Sequence, residues 1–284
     1  MMFRLWAALT LVVLACATPT TVSAGAATTP VAKVLVFVEE NHSLSQMRTG
    51  MPYLYSQAVK YGYATHYTAA AHPSLPNYLA IGSGSTFAMT DDKPPSAHSI
   101  AAPSVFGAAS AKSYEESMPS NCRLSDAYPY AVRHNPWAYV TAERARCATR
   151  DVPAGTASAG ALHNDLAAGT LPAVGFVTPN VLHDAHDGTL ATADAWLKAW
   201  LGRVYASPDW VAGRLAVVIT ADEDAHNQGN TVLTVVLAPS QHSHVVSIAM
   251  THYSLSGYLA KIGHIACIRS ACTAPVFATA FGLP

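Results

Sequence analysis

Short runs of β-branched and other apolar residues recur along the chain at 33–38, 174–177, 215–219 and 232–237, with almost no polar positions inside them. A strand apolar at nearly every position is buried on both faces, so these runs predict central strands of a covered sheet. Helical patterns fill the intervals at 52–61, 103–111, 159–168, 191–205 and 253–262. Strand and helix alternate, which predicts an α/β fold with a largely parallel central sheet and helices on both faces. Two stretches, 91–103 and 122–147, are rich in turn formers and read as long excursions from that sheet. Ligands of such sheets gather at the carboxyl ends of the strands, so the polar residues that follow each run are where chemistry is expected.

Glu39, Glu40, Asn41 and His42 follow the first run directly. Acid and amide oxygens are hard donors suited to a divalent cation, and the same residue types also make caps and turns. Further on, Ser74 precedes Leu75 and Pro76, a pattern that opens a helix. Unpaired N–H groups at such a terminus attract an anion, and a hydroxyl beside them can attack phosphorus. Asn77, one turn along the same face, is placed to donate to a phosphoryl oxygen. An N-cap serine and a nucleophile look alike in sequence, however. His183, Asp184, His186 and Asp187 follow the second run. They suit metal binding, phosphate contact or protonation of a leaving alcohol, and equally a loop held by its own Asx turns. After the third run Asp222, Glu223 and Asp224 stand in succession, and such crowding of like charge is relieved by a cation. His252 opens the last helical pattern, as a further ligand, a phosphate contact or an ordinary first-turn residue, while His242 and His244 read as surface residues.

The N-terminus adds a compartment to this picture. A basic start at Arg4, an apolar run over 5–17 and small residues at Val22 and Ala24 predict an export signal over 1–24, leaving 25–284 as a single domain. That apolar run is shorter than the roughly 20 residues a spanning helix needs, so no transmembrane segment is expected. Residues 13–16 also resemble a lipoprotein box, with Cys16 as the alternative anchor. Cys122, Cys147, Cys267 and Cys272 remain, an even number that predicts disulfides in an exported chain. Three pairings are open, and closure of short loops favours Cys122 with Cys147 and Cys267 with Cys272. Charged residues are only 12% of the chain and the formal net charge is −1, so no basic stripe is available to bind nucleic acid.

Taken in order, Glu40-Asn41, the segment HPSLPNYLA from His72, HDAHDG from His183, Asp194 with Trp196 and Leu197, the acids from Asp222, and His252-Tyr253 resemble the phosphoesterase family of secreted acid phosphatases and bacterial phospholipases C. The resemblance implies an alkaline-phosphatase-like fold and a divalent metal cation held by residues matching Glu40, Asn41, Asp222 and Glu223. Ser74 and Asn77 would then face the phosphoryl group, with Asp184, His186 and Asp187 completing the pocket. A phosphomonoesterase is implied, with phosphoinositides or other lipid phosphates among its substrates. The alternatives are a phospholipase C type phosphodiesterase, which the compact length disfavours, and a catalytically silent phosphate-binding protein of the cell envelope, which retention of Ser74 disfavours. Ala221 stands where relatives often carry tryptophan, so that wall of the pocket differs. Substrate choice is expected to lie in the middle region, 91–153.

Overall fold

A computed structural model describes residues 1–3, 5, 6, 30–108 and 110–283. In chain order its strands are Lys33–Glu39 (β1), Gly62–Ala64 (β2), Tyr67–Thr68 (β3), Ala111–Glu115 (β4), Asp151–Pro153 (β5), Val174–Thr178 (β6), Leu215–Ala221 (β7), Thr234–Leu237 (β8), His244–Val246 (β9) and Met250–Thr251 (β10). Its α-helices are Leu44–Gly50 (α1), Pro52–Lys60 (α2), Ser74–Ser83 (α3), Arg144–Arg150 (α4), Ala161–Ala168 (α5), Leu190–Ala206 (α6), Pro208–Val211 (α7), His252–Ile262 (α8) and Phe277–Phe281 (α9). The expected export signal and the Cys16 anchor lie almost wholly outside the described residues. No helix among those residues is long and apolar enough to cross a membrane.

Eight strands form one sheet in the order β5-β4-β6-β1-β7-β8-β2-β9. From β5 through β7 all neighbours are parallel, and β8 alone runs antiparallel to both its neighbours. The apolar run 232–237 thus gives a central strand as expected, but a reversed one. β1 and β7 are buried along almost their whole length, as strands covered on both sides must be. Alternation of side chains assigns the layers: Phe37 meets Trp196 of α6, whereas Phe176, in register with Val36, meets Tyr78 of α3. Helices α6 and α3 therefore lie on opposite faces of the sheet.

The pattern over 103–111 is a correction. Among the described residues there, a single 3₁₀ turn forms, at Val105–Gly107, ahead of β4. Ser104 starts that turn by accepting from the Phe106 N–H while its own N–H and hydroxyl donate to Glu143, which commits the segment to a loop. β4 escapes notice in the sequence because Lys112 and Glu115 interrupt it. Lys112 reaches outward to Asp165 at 2.6 Å, and the Glu115 carboxyl accepts from the Ser113 hydroxyl at 2.6 Å. Both favoured disulfides are present, Cys122–Cys147 and Cys267–Cys272. The first closes the base of the 122–147 excursion where it returns to the sheet edge at β5.

Candidate active site

Parallel pairing of β1 with β7 sets Glu39 opposite Ala221, so the residues that follow, Glu40 and Asp222, emerge side by side at the carboxyl end of the sheet. Asn41 turns out of β1 in the left-handed region, at φ 51°, and its N–H donates to Asp222 Oδ1 at 3.0 Å. The same oxygen accepts from the Glu223 N–H at 2.6 Å. The Glu40 N–H donates to the Asp184 carbonyl at 2.8 Å, which ties the loop after β6 to the same point. Ala185 takes a left-handed φ of 76° in that loop, strain of the kind concentrated at functional sites.

Ser74 is the first residue of α3, and the cap position belongs to Pro73, which has no side-chain bond to offer. The Ser74 hydroxyl is therefore free of capping duty and donates to Glu40 Oε2 at 2.9 Å. Not every N-terminal donor of α3 is available to an anion, because the Leu75 N–H donates to Asp92 Oδ1 at 2.9 Å. Asn77 departs further from expectation. Its Oδ1 accepts from the N–H groups of Ala70 and Ala71, and its Nδ2 donates to Glu223 Oε2 at 3.2 Å and to the Ala71 and Pro73 carbonyls. In this conformation its amide moulds the turn before Ser74 and holds Glu223, with no N–H aimed at open space.

On the other side of Glu40 lies a residue not among those expected from the sequence. His134, buried to 1% exposure, stacks on Tyr78 with ring centroids 5.1 Å apart and planes inclined by 7°. Its Nε2 is 3.4 Å from Glu40 Oε2 and its Nδ1 is 3.2 Å from Asp184 Oδ2. His186 stands farther out, with Nδ1 2.7 Å from Asp187 Oδ1 and Nε2 3.2 Å from the Arg133 guanidinium. A guanidinium only donates, so Nε2 carries the lone pair and Nδ1 carries the proton that Asp187 accepts. Arg133 and His134 both come from the 122–147 excursion, and adjacent basic residues in a chain with only 16 lysines and arginines were the available signal.

Burial dominates the electrostatics. It raises Asp222 and Asp184 each to about 7, and it raises Glu223 to about 9, with Asp222, Asp92 and Asp224 adding to the last. Glu40 is pushed well above the ordinary carboxylate range by burial first and then by Asp222 and Asp184. Glu40 Oε1, Asp184 Oδ2 and Asp222 Oδ2 are buried without a hydrogen-bond partner. Bare oxygens of several acids converging in a dry pocket are the donor set of a hard or borderline cation, so the residues present fit a divalent metal. Glu40, His134 and Asp184 each present a donor atom within 4.8 Å of the others.

The Phosphoesterase family profile matches residues 44–228. The chain belongs to the Phosphoesterase family. It is a phosphoric ester hydrolase. This phosphoesterase is 29% identical over 240 residues to a phosphatidylinositol-3-phosphatase of Mycobacterium tuberculosis, an alignment spanning 81% of the chain and 76% of that protein. It is also 29% identical over 209 residues to a phosphate-repressible acid phosphatase of Penicillium chrysogenum, spanning 67% of the chain but only 49% of the relative. Among solved structures it resembles a protein of the alkaline phosphatase superfamily from Vibrio parahaemolyticus, with a TM-score of 0.55 at 12% identity over 86% of the chain and 70% of that structure. A second likeness is to the lipoteichoic acid synthase LtaP of Listeria monocytogenes, with a TM-score of 0.57 at 9% identity, covering 86% of the chain and 76% of that structure. The fold of this phosphoesterase is alkaline-phosphatase-like.

Two further expected residues of the phosphoesterase take structural positions. His252 has Nε2 2.6 Å from the Asp222 carbonyl and Nδ1 3.2 Å from the Tyr67 hydroxyl, so both ring nitrogens are engaged with protein and neither is presented as a ligand. Burial lowers it to about 4, which keeps the ring neutral. Asp224 accepts from the N–H groups of His226, Gln228 and Asn230 and so organises the turn after the acids. His72 lies beside the acids at the rim, its Nδ1 2.9 Å from Glu223 Oε2, and stacks on His226 with ring centroids 3.9 Å apart.

Proposed function

We propose that this chain is a secreted phosphomonoesterase of the acid phosphatase type, a single domain over 25–284, that transfers the phosphoryl group to Ser74 with the help of a divalent cation. One observation carries the reading: the Ser74 hydroxyl caps no helix and donates instead to Glu40, inside a cluster of partnerless carboxylate oxygens. Export is supported by the N-terminal pattern and by the two disulfides. The name of the mycobacterial relative brings phosphoinositides into the range of substrates to test.

A cation bound by Glu40 and Asp222, with Asp184, Asn41 and Glu223 beside them, would offset phosphoryl charge and lower the pKa of the Ser74 hydroxyl. The protein's own part is positioning and proton transfer. Glu40 Oε2 orients the Ser74 O–H and accepts its proton as Oγ bonds to phosphorus. The bond from phosphorus to the alcohol oxygen breaks, and His186 at the mouth, when it carries a second proton on Nε2 in place of the contact with Arg133, supplies the proton that the departing alkoxide needs. Asp187 holds that ring in one tautomer. Neutral His186 then takes a proton from the water that displaces phosphate from Ser74, Glu40 returns its proton to Ser74 Oγ as that bond breaks, and two in-line steps give net retention at phosphorus. Arg133, 3.2 Å from His186, is placed to pair with phosphoryl oxygens.

Purified mature protein assayed against phosphomonoesters, phosphodiesters and phosphoinositides, with and without chelator, tests this reading. Ser74→Ala should lose several orders of magnitude in turnover with little change in melting temperature, and acid quenching of the wild type should trap phosphate on the Ser74 peptide. Near-normal turnover by the alanine variant would refute the nucleophile, and a preference for diesters would refute the monoesterase.

A further inference from the structure

We propose that His134 supplies an imidazole ligand to the cation site, so that the site takes a borderline transition ion such as zinc, manganese or cobalt in preference to magnesium or calcium. The inference rests on the reading of this pocket as a divalent-cation site and adds what kind of ion it holds. Both nitrogens of the buried ring face a carboxylate, Nε2 at 3.4 Å from Glu40 Oε2 and Nδ1 at 3.2 Å from Asp184 Oδ2, yet neither contact is aligned as a hydrogen bond. A neutral imidazole has one N–H and one lone pair. Whichever nitrogen carries the proton, the other points its lone pair at a carboxyl oxygen, a contact that no aligned hydrogen bond among the described residues satisfies.

An ion between Nε2 and Glu40 converts it into coordination. Two donors each about 2.1 Å from a common tetrahedral ion stand about 3.4 Å apart. The observed separation of Nε2 from Glu40 Oε2 is 3.4 Å. With Nε2 so engaged, the proton resides on Nδ1 and faces Asp184 Oδ2, the carboxylate–imidazole–metal relay that fixes ring orientation and basicity. Tyr78 fixes the ring plane from below, parallel to within 7°. The Ser74 hydroxyl donates to the same Glu40 oxygen at 2.9 Å, which keeps the nucleophile next to the ion. A nitrogen donor on an oxygen-rich site shifts preference away from the hard ions. The disulfide-closed excursion, through His134, then determines the choice of metal.

The test is to load chelator-stripped mature protein with Mn²⁺, record electron spin-echo modulation for nitrogen coupling, and measure affinity by calorimetry. Nitrogen coupling is expected in the wild type and in Ser74→Ala, His72→Gln and His186→Gln, and should vanish in His134→Gln with a tenfold or greater loss of Mn²⁺ affinity. Absence of nitrogen coupling in the wild type overturns the proposal without any variant, even if His134→Gln does not fold. Coupling that survives in folded His134→Gln overturns it too. The functional reading is judged separately, since metal-loaded protein that shows the coupling but hydrolyses no phosphate ester contradicts the phosphatase and leaves the ligand standing.

Discussion

Removing the cation and raising the pH should destabilise this fold, the reverse of what salt-bridged surface carboxylates do. Asp222 and Asp184 are buried and titrate at about 7 in the folded, metal-free chain, against the ordinary value of 3.8. Between those limits the folded state holds protons that the unfolded state has released, so stability is greatest in acid and falls as pH rises through 7. For one carboxyl displaced that far, the change from pH 5 to pH 7 removes about 2 kcal/mol. Glu40 lies in the same field, so the groups titrate as a coupled set and the total is smaller than their sum. A loss of about 2 kcal/mol lowers the melting temperature of a chain this size by roughly 4–8 °C. Calorimetric melts of chelated mature protein between pH 5 and pH 8 measure it. Asp222→Asn should flatten the profile, and a divalent cation should restore stability most strongly at the alkaline end, where its ligands are already ionised. Chelated wild type whose melting temperature holds level or climbs from pH 5 to pH 7 would show that these carboxyls do not carry the protons the geometry requires.

Asp194 caps α2 from a distance, its Oδ2 accepting from the Tyr53 N–H at 2.9 Å and its Oδ1 from the Leu54 N–H at 2.8 Å. Asp194→Ala should therefore cost about 2–3 kcal/mol in urea unfolding, with turnover per folded molecule nearly unchanged, and a cost under about 0.5 kcal/mol would contradict the capping role. Opening the loop between Cys122 and Cys147, a separation of 25 residues, by changing both to alanine should cost about 3.5 kcal/mol on the chain-entropy model. Thiol titration of the native protein should find no free thiol among Cys122, Cys147, Cys267 and Cys272, and two reactive thiols would contradict the pairing.

What was legible in the sequence is what burial writes into composition. β1, β6 and β7 are apolar at nearly every position because helices cover both their faces, and the acids that follow β1 and β7 stand out for the same reason. Parallel pairing then brings Glu40 beside Asp222 without further information. β4 was hidden because its polar residues are satisfied inside the fold, Lys112 by the remote Asp165 and Glu115 by Ser113 of the same strand. Asp194 falls in the same class. Its place in the motif pattern was visible, but its partners lie 140 residues away and on another helix, so its role as a cap was not.

His134 shows why part of the site escaped. Nothing local distinguishes a histidine in a turn-rich excursion from a solvated one. What buries it is tertiary: the Cys122–Cys147 bridge returns the excursion to the sheet edge, and Tyr78 on α3 presents a flat ring against which the imidazole stacks. His252 makes the converse point, since a histidine at the start of a helix beside three acids has the composition of a ligand. Its direction is set by α8, which turns Nε2 onto a backbone carbonyl and Nδ1 onto Tyr67. Residue type at a strand end thus locates the pocket, while the identity of its nitrogen donor depends on which ring the fold leaves with a free lone pair. His252 has none, and His134 has one, on whichever nitrogen lacks the proton.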